Sequence, residues 1–383
     1  MPSYRADHIG SLLRPPEMLE ARRAYDEKRI SWDQLQVAAD KAATAAIAVQ
    51  KEAGVDVFTD GEYRRSWWAG AMFDSLEGLV QNPDPAPVLA GGGLWQGENA
   101  ELARQTLQEV VGGSWVVGQK LRKIRSLVAK EAEFLKANAP GPWKVTFAAV
   151  STRAAGWYKP GLTDRFYPTP DDLMKELVSF LNQEVRTCTD MGCSYVQLDS
   201  LRYTSWMDPV RRQLMLDQGV KDLDKELDQQ IALDNASIAG ARGRAGVVVG
   251  HHICRGNNRS SWGGSVGGYE PVAEKLFNTM NVDRFLLEYD TERAGGFEPL
   301  RFVPSDKLVV LGIISSKIGA PESKDMLLRR IDEASKYIPV ERLAISPQCG
   351  FASTMPGNLL SWDEQKRKLE LVAEIAREVW GAS

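Results

Sequence analysis

Eight short β-rich apolar runs alternate with helical patterns along a chain of 383 residues, and this alternation limits the fold more than any other feature. The runs are HIGSLL (8–13), VDVFTDGE (55–62), KVTFAAVS (144–151) and YVQLDSL (195–201), then GVVVGHHIC (246–254), RFLLEYD (284–290), KLVVLGIISS (307–316) and RLAISPQCG (342–350). Each is nearly continuous in its apolar part, as parallel strands covered on both faces require. Between them, SWDQLQVAADKAATAAIAVQKEAG opens on a Ser cap and stops at Gly54. TPDDLMKELVSFLNQEVRTCTDMG opens on Thr169, Pro170 and two Asp, and stops at Gly192. These are helix start and stop signals. The pattern predicts an α/β fold, a (β/α)8 TIM barrel, as one domain over 1–383. No GxGxxG follows the first run and no P-loop occurs, which disfavours an open nucleotide-binding sheet. The segment at about 79–140 is too long for a simple connection. It holds QNPDPAPVLAGGG and the amphipathic GQKLRKIRSLVAKEAEFLKANA, and reads as an insertion that elaborates the second βα connection.

Composition removes several function classes. Hydrophobic residues are 43% and charged residues 26%, ordinary for a soluble globular chain. Net charge is −4 and basic residues form no stripe, so no nucleic-acid partner is expected. No apolar run approaches the roughly 18 residues of a membrane span, and the N-terminus has no signal-peptide pattern. The expected compartment is the cytoplasm, and a homo-oligomer is compatible with all of this. The four cysteines are too scattered for a disulfide scaffold. Cys188, inside a helical pattern, and Cys193, just past it, read as core residues. Cys254 and Cys349 instead end strand runs.

In such a barrel the C-terminal strand ends build the active site. The fifth run ends in His251, His252 and Cys254, the sixth carries Glu288, and the eighth ends in Cys349. The fourth ends in Asp199, the second in Asp60 and Glu62, and the first carries His8. His252 and Cys254 are two apart and point the same way on a strand, while His251 points to the helix layer. A borderline-soft metal such as Zn2+ takes imidazole, thiolate and carboxylate, so His252, Cys254, Glu288 and Cys349 form a four-ligand candidate set. Two thiolates and a carboxylate leave zinc with a net charge of about −1, suited to holding a thiol as its nucleophilic thiolate. The blander alternative makes His-x-Cys a coincidence and both cysteines core residues. His8 either hydrogen-bonds a substrate or buttresses the barrel mouth; it and Asp199 are the candidate catalytic residues. Arg14, Arg64, Arg65, Arg202 and Arg255 follow strand ends, where one or two could bind an anionic substrate group. Trp67, Trp68, Trp157, Tyr158 and Trp206 could line a pocket or simply pack. GGSVGG (263–268) reads as a flexible loop after the His-x-Cys clip.

Taken together, GHHICRGNN…GGYEPVAEKLF, FLLEYDTERAGGFEPLR, LVVLGIISSK and ISPQCGFAS resemble the cobalamin-independent methionine synthase superfamily, specifically its C-terminal catalytic barrel. ADHIGSLLRP and DGEYRRSWW near the N-terminus fit it too. Short single-barrel members of that superfamily include epoxyalkane:coenzyme M transferase. The resemblance implies a barrel whose zinc activates a thiol for alkylation, with ligands at His252, Cys254, Glu288 and Cys349. It implies a substrate amino-acid site at Ser11, Glu62 and Asp199. Two positions depart from it. Ile314 stands where the family carries a His that protonates the folate leaving group, and Ser200 replaces the Glu of an LDEP motif. The expected function is therefore zinc-dependent alkyl (methyl) transfer from an alkyl donor to a small-molecule thiol, of homocysteine S-methyltransferase type, without an ordinary methyl-tetrahydrofolate mechanism. The alternatives are C–S bond formation or cleavage like that of epoxyalkane:coenzyme M transferase, and a non-catalytic zinc- or substrate-binding barrel acting with a partner.

Overall fold

The computed structural model describes residues 4–84, 95–111, 114–154, 156–263 and 265–381. Most of QNPDPAPVLAGGG, and one position of the 263–268 loop, lie outside them. Ten strands occur among the described residues: β1 (Leu76–Gln81), β2 (Trp115–Lys123), β3 (Lys144–Ala148), β4 (Tyr195–Ser200), β5 (Val248–Ile253), β6 (Asn257–Asn258), β7 (Ser261–Trp262), β8 (Arg284–Glu288), β9 (Leu308–Ile314) and β10 (Leu343–Pro347). Six of them form one parallel sheet in the order β10-β9-β8-β5-β4-β3. All but the first residue of β9 are buried, which is why these runs carry no polar alternation.

The two missing staves are present as very short segments. Ala6 forms a parallel bridge to Ile345 on β10, and Phe58 one to Trp143 beside β3. The Asp56 N–H donates to the Ala6 carbonyl at 3.0 Å, joining the two segments. Hydrogen bonds therefore run all the way round, and the fold is a (β/α)8 barrel. The expected first strand, 8–13, is corrected: pairing centres on residues 5–7 and stops before Gly10, whose φ of +136° belongs to glycine. The second run stops likewise, at Gly61 (φ +75°) and Glu62 (φ +61°).

Helices follow the staves as their caps dictate. Trp32–Ala53 and Pro170–Asp190 both begin with full capping boxes, at Ser31 and Thr169. The first ends on Gly54 in the left-handed region. Ala129–Asn138 packs between those two helices and so serves as the second barrel helix. Leu223–Ser237, Glu270–Thr279, Lys324–Ser335 and Trp362–Trp380 continue the outer layer. Between β8 and β9 the described residues form short 3-10 segments, at Glu292–Ala294 and Glu298–Phe302, in place of a full helix. Within the second connection, 118–123 is not helical as its amphipathic pattern suggests. It belongs to β2, which pairs antiparallel with β1. The β1–β2 ribbon lies against an aromatic cluster of Trp67, Trp68, Phe73, Trp115 and Trp157, with ring centroids 5.4–6.0 Å apart. Those tryptophans therefore pack the insertion against the barrel.

Candidate active site

β5 brings His252 and Cys254 to the barrel mouth, and the turn after β10 brings Cys349 beside them. One donor atom from each lies within 4.8 Å of the others, and all three residues are buried. The two sulfurs are 3.5 Å apart and both cysteines are free. That is far longer than a disulfide and close to the roughly 3.8 Å spanned by two Zn–S bonds at a tetrahedral angle. The imidazole is oriented by its far side: Nδ1 donates to the Leu286 carbonyl at 3.1 Å. Nε2 is then the lone-pair nitrogen, and it is buried with no hydrogen-bond partner in the protein. A ring fixed by a backbone carbonyl with its other nitrogen bare is how metal-binding histidines are held. The donor set thus fits a zinc ion.

Electrostatics favour positive charge here. The contact with Cys254 pulls the Cys349 thiol well below its ordinary range, and the same contact pushes Cys254 up, so the sulfurs share one proton. Burial pulls His252 down, but the Cys349 sulfur and Asp199 outweigh it and leave the ring above its ordinary value.

Glu288, expected as a fourth ligand, is not part of this group. One carboxylate oxygen accepts the Arg255 N–H at 3.1 Å and the other is held by the Arg293 guanidinium. Arg293 lies on a helical turn after β8 and carries no periodic signal, so the sequence reading missed it.

Ser11, Glu62 and Asp199 approach the trio from the other side. The Ser11 carbonyl accepts from Phe351 N at 2.9 Å, two residues beyond Cys349. Glu62 is held in its left-handed conformation, with Thr146 Oγ1 donating to it at 2.7 Å and the Arg65 guanidinium forming an ion pair at 3.9 Å. A strained non-glycine at such a position marks a functional site more often than an accident. Asp199 pairs in register with His252 across β4 and β5, and Gln197 donates to it at 2.7 Å. Burial pushes Asp199 up to about 7.

His8 sits deeper. Its Nε2 meets the Val57 carbonyl at 3.0 Å, its own carbonyl takes the Lys144 ammonium, and burial holds the ring near 4. His251 faces the helix layer, as the two-residue period requires, with Nε2 3.7 Å from Asp234 and its ring edge-on to Tyr203. All five arginines considered for anion binding already hold protein groups. Arg14 donates to the carbonyls of Ala352, Thr354, Glu62 and Arg65. Arg64 pairs with Asp60 and Asp40, Arg65 with Glu131, and Arg202 with Glu226. Arg255 donates to the Gly267 carbonyl at 2.7 Å.

The model of the cobalamin-independent synthase catalytic domain matches residues 169–378. The chain belongs to that family. Over 387 residues it is 33% identical to protein YxjH of Bacillus subtilis, covering 98% of this chain and 95% of that one. It is 22% identical over 350 residues to methionine synthase of Pyrococcus abyssi, covering 91% and 87%. A putative vitamin-B12 independent methionine synthase from Listeria monocytogenes, known by crystal structure, superposes with a TM-score of 0.71 at 26% identity, covering 100% and 99%. Membership supports methyl transfer in the broad sense. Among the described residues no helix is long and apolar enough to cross a membrane.

Proposed function

We propose that this protein is a zinc-dependent S-alkyltransferase, most simply a methyltransferase acting on a small thiol of the homocysteine type, and that methyl-tetrahydrofolate is not its efficient donor. The observation that carries the reading is the buried His252–Cys254–Cys349 trio with its bare, pre-oriented imidazole nitrogen. His252, Cys254 and Cys349 would hold the ion, with Glu288 joining once it gives up Arg293. Zinc bound there supplies the means of keeping a thiol ionised at neutral pH. The remaining work falls to the chain. Asp199 and Glu62 offer carboxylates to the ammonium of an amino-acid thiol, and Ser11 flanks them from the first stave. The buried setting excludes water, so a developing charge meets fixed dipoles rather than solvent.

The donor follows from what the end of β9 lacks. Ile314 is fully buried and aliphatic, and cannot protonate a leaving group. General-acid help is typically worth about 10²–10⁴-fold, and a donor that leaves without a proton, such as a sulfonium, avoids that deficit.

The test is mass spectrometry of thiol products from zinc-loaded protein. Homocysteine and 2-mercaptoethanesulfonate serve as acceptors, with methyl-tetrahydrofolate, a methylsulfonium and an epoxide as donors. Homocysteine methylation by the sulfonium, with folate slower by at least the general-acid factor, is expected. Fast folate turnover would overturn the donor assignment. Epoxide opening by the sulfonate thiol would move the protein to carbon–sulfur bond formation of the other kind. No alkylation with any pair, together with no zinc uptake, would remove the reading altogether.

A further inference from the structure

The metal-fitting trio divides the barrel mouth into two unlike halves. On the side of staves one to four stand the carboxylates Glu62 and Asp199, with the buried cations Arg65 and Lys144 and the imidazole of His252 acting on Asp199. On the side of β8 and β9 cations outnumber carboxylates. Arg255 and Lys317 are buried there and Arg293 is partly buried, against Glu288 and Asp290. Three cations thus meet two carboxylates and the Cys349 sulfur, and Glu288 is already held by Arg293.

Lys317 is the group that this half leaves open. It lies three residues beyond the end of β9 and is only 3% exposed, yet its ammonium has no hydrogen-bond acceptor in the protein. One side faces the Trp262 ring, 5.8 Å from its centroid, a cation–π contact at the outer limit. Asp290 faces the Lys317 ammonium and the Trp262 indole, but neither of its oxygens makes a well-formed hydrogen bond, and Arg293 lies 3.9 Å away. The indole N–H of Trp262 is likewise buried without an acceptor.

The backbone that carries Lys317 is nailed in place. Ser315 N donates to Glu322 at 2.9 Å and Lys317 N to Ser315 Oγ at 3.2 Å. Ser316 N donates to Gln348, and Ser316 Oγ to the Gly350 carbonyl at 3.0 Å. Gln348 and Gly350 flank Cys349, so the same turn fixes the ammonium relative to the sulfurs. A buried ammonium without an acceptor is costly, and burial pulls Lys317 down to about 8. A rigid support under an unsatisfied cation, beside an unsatisfied indole donor, describes a recognition site rather than a packing element.

We infer that Lys317, with the Trp262 indole N–H, binds an oxyanion group of the second substrate, the alkyl donor, on the β8–β9 side of the trio. The ligand class is a carboxylate, sulfonate or phosphate borne by the donor. This rests on the alkyl-transfer reading for the ligand's role, but not for its chemistry. One oxyanion gives Lys317 and the indole their acceptor. Asp290 opposes it: its carboxylate neutralises part of the field in the free protein and repels the incoming anion. The amino-acid thiol on the acid side and the anionic donor on the basic side then approach the trio from opposite directions, as a transfer between two substrates needs.

The test is isothermal titration of the full chain, metal-free and zinc-loaded, with acetate, methanesulfonate and inorganic phosphate as separate probes. Saturable binding of at least one is expected, about tenfold or more weaker in Lys317→Gln and partly retained in Lys317→Arg. Asp290→Asn should shift affinity the opposite way, several-fold tighter, and decides the matter if Lys317→Gln fails to fold. The probe that binds best names the anion class. Absence of saturable binding by all three, or affinities unmoved by Lys317→Gln and Asp290→Asn, overturns the inference. Alkyl transfer in an enzyme with no oxyanion site would sink the inference and leave the function standing. Lys317-dependent binding in a protein that alkylates no thiol would do the reverse.

Discussion

At the scale of single residues, period two on β5 was enough to separate His252 from His251, and the structure sends them to opposite faces. What the sequence could not reveal is competition for a carboxylate. Glu288 sits where spacing puts it, but Arg293, on an irregular turn, takes its oxygen. Lys317 and Asp290 were overlooked for a similar reason: a charge after a strand end looks solvated until burial is known. Two predictions belong here. Cys349→Ser should strongly lower zinc content by elemental analysis, since Cys254 is the only other sulfur in the described cluster; retention of a full equivalent would disprove ligation. Asp199 is raised by burial from 3.8 to about 7, so its contribution to stability is present in acid and lost as pH rises through 7. At about 1.4 kcal/mol per unit this strain is of order 4 kcal/mol. Asp199→Asn should therefore stabilise metal-free protein at pH 8 and hardly at pH 4, while impairing turnover of an amino-acid thiol. Denaturation at both pH values checks it, and equal effects at each would count against a strained carboxylate.

At the scale of elements, six of the eight staves and the large helices were legible because continuous apolar runs and capping residues are local signals. The first stave lies a few residues before its expected run and the second ends before its run does, because their pairing is decided by glycine conformations that hydrophobicity does not report. The β1–β2 ribbon escaped notice because β2 alternates over only a few positions before the helix at Ala129 begins. One element sets the trio's geometry. The register between β10 and β9 slips between Ser346 and Pro347, which lays the Gln348 backbone across Gly312. A Cβ on Gly312 would fall 2.8 Å from Gln348 Cα and 2.8 Å from the Leu287 carbonyl, both backbone atoms that cannot swing aside. Gly312→Ala should cost about 1–3 kcal/mol and displace Cys349, so thermal stability and zinc affinity fall together. Gly156→Ala, with nothing within 4 Å of the added methyl, is the matched control. Normal zinc affinity in Gly312→Ala would show that this crossing does not position the sulfur.

At the scale of the whole molecule, the net charge of −4 gives no hint that the barrel floor holds a buried ionic cluster. Lys144 pairs with Asp7 at 2.7 Å, Arg284 lies 3.6 Å from the same carboxylate, and Tyr195 donates to it at 3.0 Å. These residues come from the first stave, β3, β4 and β8, so the cluster ties opposite sides of the ring across its floor. His8 completes the closure by joining the first stave to the second through the Val57 carbonyl. Burial, reinforced by the Lys144 ammonium, lowers its value from 6.5 to about 4, so the folded ring stays neutral where the unfolded one takes up a proton. Stability from this residue is thus complete above pH 6.5 and is lost as pH falls toward 4, by about 3 kcal/mol at 1.4 per unit. Asp7, held below its ordinary range by Lys144 and Arg284 against burial, begins to lose its contribution only below about pH 4. Asp199 and Glu131, raised by burial to about 7 and about 8, act across the same window with the opposite sign, so the His8 contribution is read as the difference between variant and parent. In His8→Gln, whose amide can still donate to Val57, metal-free protein should lose roughly one proton's worth of slope in unfolding free energy between pH 6.5 and 4.5. Urea denaturation at three pH values across that window measures it. An unchanged slope would mean that His8 is not held neutral by the closed ring, and that acid sensitivity in this range arises at the barrel mouth.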